Sequence, residues 1–555
     1  MKIVECVPNF SEGKDRKVLD AIACEIQSVA GVKLLDVDPG AATNRTVFTF
    51  AGPPDEAVEA AFFAIKKASD LIDMRGHKGA HPRMGATDVC PFVPICGVTM
   101  EECVELAKRL GKRVGSELKI PVYLYEYAAT SNQRKSLADI RAGEYEGFAE
   151  KIKKPEWKPD FGPAEFNLKS GATVIGARQF LIAYNVNLNT TDVKIAKEIA
   201  FAIREKGRVK KDKNGNKIVD AEGNTVFEPG LFKHVRATGW LIPEYGCAQV
   251  TINLTDFTIS PMHEVFDACV KEAEKHGVRA TGSEIVGLVP KQAMIDAGLH
   301  YLRKQKANCG VPEKTLIQTA IRSLGLNDVT PFDPAKKIIE SHFEVPMPLA
   351  SMTVKAFADE LSSNSPAPGG GSVAALSGAL SAALSSMVAA LTHNKKGYEN
   401  VREEMEKTGV AAQSNMRAQI EAIDKDTDAF NQVMACFGMP KATEDEKKAR
   451  AHAIEEATKG ATLVPLAVLE RTITALDLAL KVAEKGNKNS LSDAGVAGLT
   501  GYTAAMGAYY NVLINLAGIS DTEWVKKTRS TADNLVQKAK ELSAEIERIL
   551  LEKLK

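Results

Sequence analysis

The sequence has no excess of charge of either sign, because 71 lysine and arginine residues balance 71 aspartate and glutamate residues. Chains that bind nucleic acid usually present a basic surface, so this balance argues against such a partner. The nine cysteines include no CxxC pair, which argues against a zinc ribbon and favours free thiols in a reducing compartment. The amino end, MKIVECVPNF, has no apolar signal-peptide core. We therefore expect a cytoplasmic protein.

Two stretches lack Asp, Glu, Lys and Arg altogether, one between Glu360 and Lys395 and the other between Asp493 and Asp521. Each is long enough to cross a bilayer. The first is mostly Ala, Ser and Gly, and the second contains Tyr, Thr and Asn, so neither has the Leu, Ile and Phe density that favours insertion. We interpret both as helices buried in a tight bundle or a subunit interface, and we expect no membrane partner.

The pattern of elements divides the chain of 555 residues into an α/β part and an all-α part. Residues 1–180 and 181–326 each alternate short β-rich runs with amphipathic helical runs. A proline-containing linker follows over 327–350, and residues 351–555 show only helical periodicity. The predicted fold class is multidomain, with two α/β sandwich subdomains followed by an all-α helical bundle.

The boundaries of the expected elements follow from periodicity and turn signals. The expected strands are Ile3–Val7, Val32–Val37, Thr46–Ala51, Val89–Ile95, Val122–Tyr125, Phe180–Leu188, His234–Leu241, Ala248–Leu254 and Glu284–Val289. The expected helices lie near 14–29, 55–72, 99–114, 191–206, 261–276, 290–305, 352–361, 372–393, 400–437, 444–485, 492–518 and 521–555. Ser11 and Thr99 are candidate helix caps, and Pro465 is expected to break or kink its helix. A surface hairpin is expected near 207–230.

The loop segment HKGAHPRMGATDVCPFVPI (77–95) places two histidines among glycine and proline, ahead of an apolar strand. A loop imidazole is a candidate acid–base group because its ordinary pKa lies near neutrality. The alternative is that His77 and His81 are solvated and idle. Asp38 and Arg45 flank a Gly-Ala-Ala turn, where the alternative is a surface salt bridge of little energetic value.

The segment AIDKDTDAF contains three aspartates that a helix would separate. Steps of four and three predict a buried stripe of Met416, Ile420, Ile423, Thr427, Phe430, Met434 and Phe437. Asp424 and Asp428 then fall on a polar flank, and Asp426 falls on the opposite flank among small apolar residues. Burial raises the pKa of a carboxyl group, so Asp426 is the aspartate best suited to carry protons.

The segment PAPGGGS (366–372) combines stiff prolines with three glycines before a helical run. Ser372 is a candidate N-cap, and exposed N–H groups at that helix start would favour an anion or a carbonyl-rich ring. No GK[ST] follows, so ATP is not implied. The alternative is a flexible hinge.

Eight motifs in one order resemble the formimidoyltransferase-cyclodeaminase family. They are VECVPNFSEG, LLDVD, TNRTVFTFAG, LIDMRGHKGAHPRMGATDVCPFVPI, SGATVIGARQFLIAYNVNL, SPAPGGGSVAAL, AIDKDTDAF and YYNVLINL. The resemblance implies transfer of a formimidoyl group from N-formimidoyl-L-glutamate to tetrahydrofolate, followed by cyclisation to 5,10-methenyltetrahydrofolate with loss of ammonia. Tetrahydrofolate, with its polyglutamate tail, would be a carrier substrate, and neither a permanent cofactor nor a metal is implied. A homo-oligomer, a ring of dimers, is also implied.

The resemblance also assigns roles to individual residues. His81 matches the family's general base, Asp38 matches an acidic residue near it, and Asp426 matches the acid–base residue of the cyclodeaminase. The segment FGPAEFNLKSGAT (161–173) matches a folate-contacting segment. Arg45 is a candidate for holding the donor glutamate because a guanidinium can bind a carboxylate bidentately. The other expected substrate- and folate-binding residues are Asn9, Gly162, Pro163, Lys169, Gly171, Pro368, Gly369, Gly370, Gly371 and Ser372.

Two other functions remain open from the sequence. One is a folate enzyme with a single live activity, such as a methenyltetrahydrofolate cyclohydrolase. The other is a non-catalytic folate-binding protein, which would bind tetrahydrofolate without turnover. Ammonia release and the effect of a His81 substitution distinguish them, because the residues at a site decide function and the fold does not.

Overall fold

The computed structural model describes residues 2–41, 43–79 and 81–555. These residues form two compact units. The α/β unit contains the described residues up to Ala297 together with Ala320–Glu344, and the helical unit contains Gly298–Thr319 and Val345–Lys555. The predicted fold class, two α/β subdomains followed by a helix-rich part, is confirmed.

The first sheet of the α/β unit has seven strands, with β1–β4–β2–β5–β7–β6 in order and β3 paired to β4. The strands are β1 Ile3–Cys6, β2 Asn9–Phe10, β3 Lys33–Gly40, β4 Arg45–Gly52, β5 Thr87–Cys96, β6 Val122–Glu126 and β7 Thr173–Ala177. The helices of this segment are α1 Arg16–Gln27, α2 Pro54–Leu71, α3 Met100–Arg113, α4 Leu137–Arg141 and α5 Glu144–Lys151. Buried aromatic residues of the sheet, such as Phe48 and Phe92, form one core with Ile22, Ile65 and Leu110 of α1, α2 and α3.

The second sheet has four antiparallel strands in the order β11–β12–β8–β13. The strands of this segment are β8 Ile182–Leu188, β9 Arg208–Val209, β10 Phe227–Glu228, β11 Val235–Ile242, β12 Cys247–Leu254 and β13 Ala280–Val286, and its helices are α6 Val193–Ile203 and α7 Met262–Lys275. The antiparallel pair β9–β10 forms the hairpin expected near 207–230. Each sheet lies within one of the two predicted α/β subdomains.

The remaining helices are α8 Lys291–Lys304, α9 Glu313–Leu324, α10 Pro334–Lys337, α11 Val354–Leu361, α12 Gly370–His393, α13 Arg402–Phe437, α14 Glu444–Lys485, α15 Leu491–Leu516 and α16 Thr522–Lys553. Small residues let α12 and α15 approach closely, since Ser381 Oγ on α12 donates to the Ala497 carbonyl on α15 at 2.7 Å. Helix α14 continues through Pro465, so of the predicted break or kink the break is wrong, and the kink stays a prediction.

Two local predictions about helix starts have opposite outcomes. Thr99 and Glu102 form the predicted capping box at the start of α3. The cap of α1 is Asp15, and Ser11 Oγ instead donates to the Gly85 carbonyl at 2.7 Å. The Ser11 prediction is therefore wrong, because a contact distant in sequence competes with the local cap.

The buried stripe predicted for α13 is also wrong. Of its seven residues only Ile423 is buried, and Met434 and Phe437 are exposed. The buried positions of α13 are Met405, Thr408, Gly409, Ala412, Asn415, Gln419, Ala422, Ile423 and Asp424. They end at Asp424, so the last three turns of α13 contribute nothing to the core of the unit.

The compact units differ from the predicted boundaries at two places. Gly298–Thr319 groups with the helical unit, although it was expected in the second α/β subdomain. The expected linker contributes α10 and a bridge between Ile338 and Val289, so its residues up to Glu344 pack with the α/β unit. Backbone pairing across some fifty residues is a contact that local composition does not reveal.

Helix α12 is the one helix of the described chain that is long and apolar enough to cross a membrane. Its most apolar 18-residue window is 56% buried in the structure. A core helix of a globular bundle satisfies the same criteria of length and hydropathy, so this is weak evidence for a span.

Candidate active sites in the two units

The loop that carries His81 rests on the turn between β3 and β4. A Cβ atom on Gly79 would lie 2.1 Å from the Thr43 carbonyl oxygen, so only glycine permits this approach. His77 Nε2 lies 2.8 Å from the Asn44 carbonyl oxygen. These contacts bring the loop beside Arg45, the first residue of β4.

The ring of His81 is oriented by its own backbone neighbour. Nδ1 lies 2.7 Å from the Pro82 carbonyl oxygen. A carbonyl oxygen can only accept, so Nδ1 carries the proton and, in the neutral ring, Nε2 is left with a free lone pair. Partial burial, together with the positive charges of Arg45 and Arg141, lowers the pKa of His81 from its ordinary 6.5. The imidazole is therefore neutral at neutral pH and able to accept a proton at Nε2.

The carboxylate whose charge influences His81 is Asp88, the second residue of β5. Asp88 is fully buried and bonds the guanidinium of Arg141 and the Met84 N–H, the latter at 3.0 Å. Asp38, which the family resemblance places near the histidine, lies on β3 with an exposed side chain. The structure gives the His81 Nδ1 atom a carbonyl partner, and the role of Asp38 stays a prediction.

Three buried polar atoms near this loop have no hydrogen-bond partner among the described residues. They are Asn9 Oδ1, Arg45 Nε and Thr87 Oγ1. Leaving such a group unpaired costs about 1–3 kcal/mol, and a native site explains that cost when a ligand supplies the partner. Asn9 and Arg45 are predicted binding residues, and their roles stay predictions.

The segment 161–173 packs against the protein's own backbone. A Cβ on Gly171 would lie 2.1 Å from the Met84 carbonyl oxygen, and one on Gly162 would lie 2.5 Å from that of Ile120. Lys169 Nζ donates to the Asp70 carbonyl at 2.8 Å, and Pro163 is half-buried beside Gly162. Internal packing therefore explains both glycines without a pterin, and folate contact by this segment stays a prediction.

Asp426 of the helical unit lies against the start of α12. A Cβ on Gly371 would fall 2.1 Å from Asp426 Oδ1, so the absent side chain makes room for the carboxylate. Burial raises the pKa of Asp426 above its ordinary 3.8, and hydrogen bonds from the hydroxyl and backbone N–H of Ser372 partly oppose that rise. The predicted rise of the Asp426 pKa agrees with this burial, and the helix that packs against Asp426 is α12.

Ser372 is not the N-cap of α12, so that prediction is wrong. The helix begins at Gly370 with Gly369 at the N-cap position, after the buried Pro368. Ser372 is fully buried, and its Oγ donates to the Ile423 carbonyl at 2.8 Å and reaches Asp426 Oδ2 at 3.4 Å. The glycines let the helix start one turn earlier and place the hydroxyl beside the carboxylate.

Asp424 has a structural contact. Its two carboxylate oxygens accept the N–H groups of Leu349 and Ala350, at 2.8 and 3.0 Å, and its side chain is buried. The predicted polar flank is therefore wrong for Asp424, although Asp428 is exposed as expected. The sequence could not indicate which backbone would pack against α13.

Three family models match consecutive parts of the chain. A formiminotransferase N-terminal subdomain model matches residues 3–178, a formiminotransferase domain model matches 183–344, and a formiminotransferase-cyclodeaminase model matches 353–534. A formimidoyltransferase-cyclodeaminase of Dictyostelium discoideum is 44% identical over 553 residues, covering 99% of each chain. The chain belongs to the formimidoyltransferase-cyclodeaminase family.

Relatives of the separate parts also match this chain. A glutamate formimidoyltransferase of Thermoplasma acidophilum is 47% identical over 305 residues, which is 55% of this chain and 93% of that protein. A methenyltetrahydrofolate cyclohydrolase of Methylorubrum extorquens is 42% identical over 194 residues, which is 35% of this chain and 93% of that protein. The α/β part of this chain thus resembles one shorter protein, and the helical part resembles another.

Four residues at the two sites escaped the sequence analysis. Asp88 and Thr87 open an apolar strand, a position at which a polar pair is a usable signal. Arg141 lies sixty residues from His81, and no spacing pointed to it. Asn511 belongs to the YYNVLINL motif, and its amide nitrogen lies 3.3 Å from where a Cβ on Gly370 would be. Three motifs of the helical unit, PAPGGGS, AIDKDTDAF and YYNVLINL, therefore lie side by side in the folded protein.

Neither site coincides with the cavity of about 410 Å³ that lies between the start of α14 and the turn before α16. That cavity is lined in part by Lys441, Lys447 and Arg450.

Among residues 2–41, 43–79 and 81–555, no group of three or more His, Cys, Asp or Glu side chains is arranged to hold a metal ion.

Proposed function

We propose that the protein catalyses two consecutive reactions of one folate carrier. The α/β unit transfers the formimidoyl group of N-formimidoyl-L-glutamate to tetrahydrofolate. The helical unit closes the product to 5,10-methenyltetrahydrofolate and releases ammonia. The observation that carries the proposal is that each unit presents one half-buried group whose shifted pKa suits proton transfer, His81 in one and Asp426 in the other.

In the first reaction the N5 nitrogen of tetrahydrofolate attacks the formimidoyl carbon. His81 Nε2 takes the N5 proton, since its lone pair is free and its Nδ1 proton is held by Pro82. The tetrahedral intermediate collapses by breaking the bond from carbon to the glutamate nitrogen, which receives the proton. The resulting imidazolium is transient because the charges of Arg45 and Arg141 disfavour it.

Arg45 is the residue we propose to bind a carboxylate of the donor. Its Nε is buried without a partner, and a guanidinium can grip a carboxylate through two parallel hydrogen bonds. Arg141 lies near enough to lower the pKa of both Arg45 and His81. We propose that Arg141, held by Asp88, adds a second positive charge on the same side of the donor.

In the second reaction the N10 nitrogen attacks the carbon attached to N5. Asp426 takes the N10 proton and delivers it to the amino group on that carbon, and the bond from carbon to that nitrogen breaks to release ammonia. The raised pKa of Asp426 makes it a stronger base than an ordinary aspartate. We propose that the PAPGGGS segment, with Pro368, Gly369, Gly370 and Gly371, contacts the folate beside it.

The test follows both half-reactions separately on the purified full chain. His81→Ala should lower formimidoyl transfer by about 10²–10⁴-fold and leave cyclisation unchanged, because general base catalysis contributes factors of that size. Asp426→Asn should lower cyclisation and leave formimidoyl transfer unchanged. The proposal fails if either substitution leaves its own half-reaction intact or removes both.

A cyclohydrolase activity is the second candidate for the helical unit, because its sequence is 42% identical to that of a methenyltetrahydrofolate cyclohydrolase over 194 residues. It predicts water addition to 5,10-methenyltetrahydrofolate and no ammonia from 5-formimidoyltetrahydrofolate. Ammonia measured against loss of the methenyl absorbance separates the two activities on the same sample.

We also propose a homo-oligomer, a ring of dimers, in the cytoplasm. Large apolar side chains on α12 and α15 are exposed, and they are Leu380, Met387, Leu391, Val496, Leu499, Tyr510 and Ile514. A second copy would remove this apolar surface from water. All nine cysteines are free, which suits a reducing compartment. Light scattering of the purified protein, with a chain mass of 59.8 kDa, measures the subunit count.

A further inference from the structure

Lys151, the last residue of α5, is a buried lysine that no step above uses. Its ammonium donates to the carbonyl oxygens of Asp139, Ile140 and Ala142, at 2.9, 2.8 and 2.9 Å. It also lies 3.9 Å from the centre of the Trp157 ring, in cation–π contact. All three of its N–H donors are therefore used, and the ammonium has a defined position.

The three carbonyls surround Arg141. Helix α4 has only five residues and ends at Arg141, so its last carbonyls have few helical partners, although the Asp139 carbonyl also accepts the Ala142 N–H at 3.3 Å. Lys151 bonds the carbonyls immediately before and after Arg141 and thereby fixes the backbone on both sides of it. The Arg141 side chain extends from that backbone to the buried Asp88, with Nε 3.3 Å from Asp88 Oδ1.

We propose that Lys151 is a positioning residue of the transferase site, which acts through Arg141 by fixing the short helix that carries it. This inference rests on the proposed role of Arg141 in binding the donor. Lys151 contacts neither substrate nor reacting atoms. Without the three bonds, the end of α4 would relax and the guanidinium would meet the donor carboxylate in the wrong place.

The hydrogen bonds from Lys151 to the three carbonyls are also sensitive to pH. Burial lowers the pKa of Lys151 to about 8, the negative charge of Asp139 opposes that shift, and the positive charge of Lys154 adds to it. The remaining faces are the neutral Trp157 ring and backbone carbonyls. The ammonium form is present below pH 8 and is lost above it, so the donor site should loosen in mildly alkaline solution.

The experiment measures KM for N-formimidoyl-L-glutamate and kcat for transfer in the full chain. In Lys151→Met we expect KM to rise about tenfold with kcat changed by less than about twofold, since a misplaced binding group weakens positioning. Lys153→Met is the matched control, because its exposed ammonium bonds only Glu150 nearby. Because Lys151 lies in the α/β unit, folding of the variant is checked by urea unfolding of the full chain followed by circular dichroism, and a kcat within about twofold of the unmodified protein shows that the transferase site is intact.

A double-variant cycle separates this inference from the proposed role of Arg141. If Arg141→Met alone leaves KM unchanged, the role of Arg141 fails. If Arg141→Met raises KM and Lys151→Met adds a further tenfold in that background, Lys151 does not act through Arg141, and the inference is overturned. We expect no further increase in the double variant.

The pH profile provides a test that does not need Lys151→Met to fold. In the unmodified protein, KM should rise above about pH 8, whereas in Lys151→Arg it should stay level, because a guanidinium keeps its charge there. Parallel profiles for the two proteins would contradict the proposal.

Discussion

The two sites obtain a proton-transfer group by moving pKa values in opposite directions with the same physical cause. Partial burial lowers the pKa of His81 from 6.5 and raises that of Asp426 from 3.8. Burial always disfavours the charged form, which is the protonated imidazole in one case and the carboxylate in the other. The pKa values of two groups that ordinarily differ widely are thereby brought toward each other, and in the proposed mechanism both groups are bases toward nitrogen protons of one carrier.

The sites differ in how the group is held. His81 lies on a loop whose position depends on a glycine contact with the β3–β4 turn and on nearby arginines. Asp426 lies in the middle of a helix of 36 residues and is positioned by a neighbouring helix that has no side chain at the contact. Arginine charges therefore add to the effect of burial at the first site, whereas at the second the missing side chain of Gly371 makes room for the buried carboxylate.

The largest effect on this comparison is expected from Gly371→Ala. The new Cβ would lie 2.1 Å from Asp426 Oδ1 and would displace the carboxylate. Cyclisation should fall by at least about 100-fold, since it loses its acid–base group, while transfer stays unchanged. Gly460→Ala on α14 is the control, because nothing lies within 4 Å of its added Cβ. A variant with full ammonia release would show that the close contact is not needed.

A smaller effect is expected from Arg45→Met in the charged site. Loss of a charge-assisted bond to the donor should raise KM for N-formimidoyl-L-glutamate by about 10–100-fold, the equivalent of 1.5–3 kcal/mol. Its positive charge lowers the pKa of His81, so the acid limb of the transfer rate should also move to higher pH. Arg109→Met, on the exposed surface of α3, is the control. An unchanged acid limb would mean that the charge of Arg45 does not lower the pKa of His81.

The elements of the α/β unit could be predicted from sequence far better than the contacts at its site. Strand β4 alternates half-buried and buried positions over its first six residues, the period that predicts a strand. Short elements such as α4 and β2 escaped, because five or two residues show no periodicity. Arg141 and Asp88 meet through packing of segments more than fifty residues apart, which no local pattern encodes.

In the helical unit the helices from α11 onward could again be predicted, while α9 and the buried face of α13 could not. An apolar stripe predicts a core only when a neighbour covers it, and past Asp424 the neighbours of α13 leave Met434 and Phe437 exposed. Asp424 and Ser372 both make contacts that the sequence did not predict. The buried Asp424 carboxylate accepts two backbone N–H groups, and the Ser372 hydroxyl, inside α12, donates to a carbonyl of α13. The role of Asp426 stays a prediction, and the residues that lie beside its carboxylate, Gly371 and Ser372, belong to α12 and not to its own helix.

Asp424→Ala tests whether the neighbouring aspartate is structural. Its removal leaves the N–H groups of Leu349 and Ala350 buried without acceptors, so the free energy of unfolding of the helical unit should fall by about 1–3 kcal/mol. Urea unfolding followed by circular dichroism measures the change. Asp428→Ala, at an exposed position, should cost less than about 0.5 kcal/mol. Loss of cyclisation in a folded Asp424→Ala protein would instead indicate a chemical role.

The smallest effect, and the one that sharpens the comparison most, is expected from Ser372→Ala. The hydroxyl lies 3.4 Å from Asp426 Oδ2 and partly opposes the burial that raises the pKa of that carboxyl. Without it the pKa should rise further, and only slightly, because the bond is long and the backbone N–H of Ser372 remains. Asp426 acts as a base, so the acid limb of cyclisation should move to higher pH while the acid limb of transfer, set by His81, stays in place. Ser377→Ala on the same helix, whose hydroxyl bonds the Val373 carbonyl, should move neither limb. A shift to lower pH in Ser372→Ala would mean that the hydroxyl stabilises the protonated carboxyl, and the two sites would then be tuned by different causes.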